Sequence, residues 1–124
     1  MPKSKFVQFQ LEENSTNTIT DDMLKENCKI MQSKTLDSAD WKLSIESVSL
    51  THMKLASMAG LELLHNLRHV NLSNNEISEI SAIDHCKLLE ELNLEKNCIS
   101  RIQKLEGLVY LKKMELGKNR ITRI

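Results

Sequence analysis

An excess of charge of either sign is missing from this chain: 17 lysines and arginines face 17 aspartates and glutamates, for a formal net charge of zero. A dedicated nucleic-acid binder carries a basic surplus, so a nucleic-acid partner is not expected. Cysteine pairs at metal-binding or redox spacing are missing too. Cys28, Cys86 and Cys98 form no C-x-x-C, and three thiols cannot all pair within one chain, which fits a reducing compartment. No apolar run approaches membrane-spanning length, and the opening residues MPKSKFVQFQLEEN lack the apolar core of a secretory signal. The expectation is a cytoplasmic or nuclear protein with no membrane partner. Its 124 residues suffice for one domain with one continuous core.

What is present is a repeat. Aligning Ile45, Leu67, Leu89 and Leu111 stacks IESVSLTHMKLASM, LRHVNLSNNEISEI, LEELNLEKNCISRI and LKKMELGKNRITRI at a constant interval of 22 residues. The last three follow LxxLxLxxNxIxxI, with Val70 and Met114 replacing leucine. The first departs only at Met53, where the others carry Asn75, Asn97 and Asn119. A fixed period of this length signals a stacked solenoid. The apolar pair of each LxL trio, such as Leu92 and Leu94, leaves a short strand on one side, into the core. The asparagine falls where the chain turns off the sheet, and its amide is expected to satisfy backbone groups of neighbouring turns. Ile77, Ile80, Ile99 and Ile102 extend the core, and Leu61, Leu64, Ile83, Cys86, Leu105 and Leu108 supply the return legs. The predicted fold class is α/β: a right-handed solenoid with short parallel strands on the concave face and 3-10 or short helical convex returns.

Residues 1–44 break the pattern and read as an N-terminal segment and helical cap; residues 45–124 form four repeats, the last incomplete. Thr20 suits an N-cap, Asp21 and Asp22 face the positive helix end, and Ile19 is placed to staple onto Leu24. Leu24, Cys28 and Met31 then give one apolar stripe, predicting a helix over about residues 21–32. Trp41 and Leu43 are expected to pack between that helix and the first repeat. Val7–Leu11 alternates like a short strand. The array stops at Ile124, and nothing in the sequence covers Met114, Leu116 or Ile121. A piece of a longer repeat protein, a weak dimer through the last repeat, and a fraying end are the three readings of that stop.

The LxxLxLxxNxIxxI pattern over Ile45–Ile124 resembles the 22-residue class of leucine-rich repeat proteins. That class includes a nuclear regulatory subunit of protein phosphatase 1, the leucine-rich light chain of axonemal dynein, and ciliary and centrosomal proteins. The stretch ITDDMLKENCK also looks like the N-terminal caps of some ciliary members. The resemblance implies a non-enzymatic module that binds another protein through its concave sheet, in a cytoskeletal, ciliary or centrosomal scaffold. The alternatives are a phosphatase-regulatory subunit and the targeting domain of a longer enzyme.

The core positions leave the concave residues as candidates for partner binding: Arg68, His69 and Asn71, then Glu90, Glu91 and Asn93, then Lys112, Lys113 and Glu115. The first two repeats are nearly neutral here, the third is acidic and the fourth basic, a banding able to orient a partner of complementary charge. The face lacks Trp, Tyr, Phe and Met, unlike that of the phosphatase regulator, and only Arg68 is of hot-spot type. No catalytic, cofactor or metal site is expected. In the adjacent pair His85-Cys86, the cysteine occupies the core position of Leu64 and Leu108. Cys98 holds a variable position, and His52 and His69 lack further ligands close by. Lys112, Lys113, Lys118, Arg120 and Arg123 gather basic charge at the C-terminal edge, a device that discourages strand pairing.

Overall fold

The computed structural model describes residues 18–122. The strand-like Val7–Leu11 and the terminal pair Arg123 and Ile124 lie outside them. Thr20 is extended and its Oγ1 accepts the Met23 N–H at 3.2 Å, starting helix α1 (Asp21–Glu26) with two aspartates in its first turn. Ile19 and Leu24 are both buried in the common core. Ile19 also lies on bare backbone at Gly60, whose φ is +116° and where a Cβ would stand 2.8 Å from the Ile19 Cβ.

The helix ends well before residue 32. Asn27 closes it, donating from Nδ2 to the Met23 carbonyl at 2.9 Å, and Cys28–Ile30 becomes strand β1. This corrects the expected helix. The stripe of Leu24, Cys28 and Met31 fits a helix, but the first repeat strand needs a partner on its outer edge. Pairing there outweighs local periodicity. Strand β1 runs antiparallel to β2 (Ile45–Ser49), with Cys28 opposite Val48 and Lys29 opposite Ser47. A 3-10 helix, Trp41–Ser44, precedes β2 and buries Ser44. Leu43 is 39% exposed, so the expected packing of Leu43 under the cap does not form. Trp41 does pack against the core, with Lys25 Nζ 4.8 Å from its ring centre.

Strands β3 (His69–Asn71), β4 (Glu91–Asn93) and β5 (Lys113–Glu115) complete a sheet of order β1-β2-β3-β4-β5. From β2 to β5 the pairing is parallel, and Val48, Val70, Leu92 and Met114 stand opposite one another. Core side chains therefore stack as ladders; Leu50, Leu72 and Leu94 are fully buried. The return legs are successive i→i+3 turns rather than continuous helix. Leu64 donates to the Leu61 carbonyl and Leu67 to that of Leu64, both at 3.1 Å. Equivalent bonds join Cys86 to Ile83 and Leu89 to Cys86. This is 3-10 hydrogen bonding in its shortest form.

Each ladder asparagine reaches back one repeat. Asn97 Oδ1 accepts the Ile77 N–H at 3.0 Å, while its Nδ2 donates to the carbonyls of Leu72 at 3.0 Å and Leu94 at 3.1 Å. Asn119 repeats the pattern with Ile99, Leu94 and Leu116. Asn75 serves the first repeat: its Oδ1 accepts from both Met53 and Leu55, each at 3.0 Å. Met53 in the first repeat is thereby explained, because no earlier repeat bend lies behind it for an asparagine to satisfy. In the last described repeat Met114 is 36% exposed, and Leu111, Leu116 and Ile121 are partly buried.

Two outcomes follow from these ladders. Asn97→Ala strands buried backbone groups in two repeats and is expected to lower stability by about 1–3 kcal/mol, measured by urea denaturation. Leu94→Ala should cost about 2–5 kcal/mol, and distinctly more than Leu116→Ala, whose site is already part-exposed. Equal costs at the two positions in the same assay would contradict the gradient of burial.

Candidate protein-binding face

Alternation along the strands sends every second side chain away from the core, and the parallel register lines these up in rows across the sheet. The first row is Lys29, Ser47, His69, Glu91 and Lys113. The second is Ser49, Asn71, Asn93 and Glu115. Both rows line a hollow of about 400 Å³. Lys29 belongs to it only because Cys28–Ile30 is a strand, so reading that stretch as helix missed it. The alternation of Cys28 and Ile30 about Lys29 was the available signal.

The nine predicted residues divide into two groups. Arg68, Glu90 and Lys112 sit together on the rim, one residue before the first row. Glu90 Oε2 accepts from Arg68 Nη1 at 2.9 Å and Oε1 lies 3.2 Å from Lys112 Nζ. The Lys112 ammonium, followed by the Arg68 guanidinium, holds the Glu90 carboxyl below the usual glutamate range. Charge here is thus neutralised from repeat to repeat, and the acidic and basic bands read along the sequence do not face a partner as separate blocks. His69, Asn71, Glu91, Asn93, Lys113 and Glu115 lie in the hollow itself.

Within the hollow the bonding differs by row. Lys113 Nζ lies 3.4 Å from Glu115 Oε1. Asn71 Oδ1 accepts the Ser73 N–H and Asn93 Oδ1 accepts the Glu95 N–H, each at 3.0 Å. A backbone donor demands the amide oxygen, which fixes the orientation of both side chains. Each Nδ2 is left without an acceptor among the described residues. Ser73 is itself buried.

The far edge of the face is set by backbone conformation. His52, Asn74, Lys96 and Lys118, at equivalent positions of the four repeats, have φ of 58°, 60°, 58° and 57°. Asn74 alone hinted at this, because asparagine tolerates the left-handed region better than lysine or histidine.

The adjacent pair His85-Cys86 lies apart from this face. Cys86 is fully buried and its Sγ lies 3.7 Å from the Leu61 carbonyl. Burial, then Asp84 and Glu62, push its thiol up to about 11, in keeping with its place in the core. His85 is largely exposed, with Nε2 4.0 Å from Asp84 Oδ2. Among the described residues no group of three His, Cys, Asp or Glu is placed to hold a metal. Among the same residues no helix is long and apolar enough to cross a membrane. A second hollow, about 430 Å³, lies beside the cap and is lined by Trp41, Leu43, Leu63 and His65 among others. Sequence periodicity gave no sign of it.

Comparison with known proteins agrees with this architecture. Residues 65–110 match the family described as Leucine Rich repeats (2 copies). A search of curated proteins gives no match. Among solved structures, the chain resembles an internalin (inlF) from Listeria monocytogenes, with a TM-score of 0.66 and 29% identity, covering 75% of this chain. It spans only 28% of that internalin chain. The molecule has the leucine-rich repeat fold, a fold that in general mediates protein–protein interaction.

The left-handed bend makes its own forecast. Lys96→Val forces a β-branched side chain into that region, whereas Lys96→Gly relieves it. The valine variant is expected to be less stable than the glycine variant by about 1–2 kcal/mol in thermal or urea unfolding.

Proposed function

We propose that this chain is a non-enzymatic protein-binding module whose partner lies across the concave face. The observation that carries the reading is a division of labour among polar groups. Ladder asparagines and the Arg68–Glu90–Lys112 chain bind repeat to repeat, while the two rows in the hollow remain open to solvent. A balanced charge and rows that mix both signs favour a protein over a nucleic acid. The cytoskeletal, ciliary or centrosomal scaffold rests on the sequence resemblance, and the cytoplasmic location on the odd number of cysteines. A phosphatase-regulatory role is disfavoured by the lack of aromatic side chains in the hollow. The targeting domain of a longer enzyme would use the same face.

The test is affinity capture with mass spectrometry, comparing wild type with the combined variant His69→Ala/Glu91→Ala/Lys113→Ala. All three side chains face solvent, so circular dichroism should be unchanged while specific partners are lost. Retention of every partner by that variant would move the interface off the concave face, with the hollow at Trp41 and Leu63 as the place to look next.

A further inference from the structure

We propose that the concave face takes an extended peptide laid across the strands, carrying an acidic and a basic side chain four residues apart. This rests on the reading that a protein partner lies on that face, and it names the chemistry of the segment that would occupy it. Lys29 and Glu91 stand in the same row, separated by Ser47 and His69. Neither has an ion-pair partner among the described residues. The other charged side chains that line the hollow, Lys113 and Glu115, lie against each other, and on the rim Glu90 lies between Arg68 and Lys112. Among the described residues that line the hollow, Lys29 and Glu91 are therefore the opposed charges without an ion-pair partner.

Their spacing suits one backbone conformation. Adjacent strands lie about 4.8 Å apart, so three steps from β1 to β4 cover about 14 Å. An extended chain advances about 3.4 Å per residue and needs about four residues for the same distance. Residues i and i+4 of an extended chain leave it on the same side, so both reach down to the sheet. The i+2 side chain between them falls over Ser47 and His69, which leaves room for a small or polar residue. Helical peptides advance about 1.5 Å per residue and put i and i+4 only about 6 Å apart, which does not span Lys29 to Glu91.

The neighbouring row supplies the backbone contacts. Asn71 and Asn93 each hold the amide oxygen inward and keep Nδ2 without an acceptor. Carbonyl oxygens project sideways from an extended chain, so those along one edge of the peptide meet these donors. A single-stranded nucleic acid would ask for a continuous cationic groove and aromatic platforms, and the hollow lacks both.

The experiment is selection of a displayed library of random 12-residue peptides on the purified full chain, followed by affinity measurement of the synthetic winners. Recovered peptides should share an Asp or Glu four residues from a Lys or Arg, in either order, because an extended chain can lie either way round. At low salt, Glu91→Lys or Lys29→Glu alone should weaken a selected peptide by about tenfold or more, since each replaces attraction by repulsion. The combined Lys29→Glu/Glu91→Lys variant should recover most of that loss, a rescue that damage to the fold would not give. Peptides that share no charge spacing, yet lose binding in the His69→Ala/Glu91→Ala/Lys113→Ala variant, would overturn this inference and leave the concave-face reading standing. Peptides indifferent to every one of these substitutions would overturn both. Recovery of no binding peptide would also reject the extended-peptide inference, with affinity capture still deciding the face.

Discussion

The structure depends on one side chain used repeatedly. A leucine-rich turn this tight leaves backbone donors and acceptors buried at the bend, and water is excluded from them by the leucine ladders. Asparagine offers one acceptor and two donors in a plane, enough to satisfy its own bend and the one before it. The bond runs backward, from repeat to previous repeat, and makes the array cooperative. It also sets the distance and register at which strands meet. Rows of concave side chains exist because each asparagine holds its neighbour's strand in step.

Once that register is imposed, the exposed positions become a lattice with about 4.8 Å between columns. Charges that lie apart along the sequence become neighbours across the sheet. Glu90 illustrates the consequence. Along the chain it belongs to an acidic run with Glu91, but in space it lies between Arg68 and Lys112 and braces three repeats. Glu91, one residue on, enters the hollow and has no ion-pair partner among the described residues. Adjacent identical residues thus differ in role because one lies on the rim and the other in a row.

Much of this was legible in the residues. The period placed every leucine of the ladder, identified Cys86 as a core substitute, and put the asparagines at the bends. Legibility failed where a long-range demand overruled a local pattern. Leu24, Cys28 and Met31 carry a helical stripe, yet β2 needs an antiparallel neighbour and takes Cys28–Ile30 for it. Leu43 looked like core because it is apolar, but the 3-10 turn at Trp41–Ser44 buries Ser44 and turns Leu43 outward. The left-handed bend at Lys96 was hidden because lysine carries no sign of that conformation. For the concave face, periodicity named the positions, whereas the pairing among them needed the register in three dimensions.

The central claim is that the rows in the hollow, and no other surface, meet the partner. A backbone amide NMR titration of the full chain with a captured partner tests it most directly. The account predicts shifts concentrated at Lys29, Ser47, His69, Asn71, Glu91 and Asn93, with Trp41 and Leu63 unmoved. Shifts centred on Trp41, Leu43 and Leu63, with the concave rows silent, would contradict it.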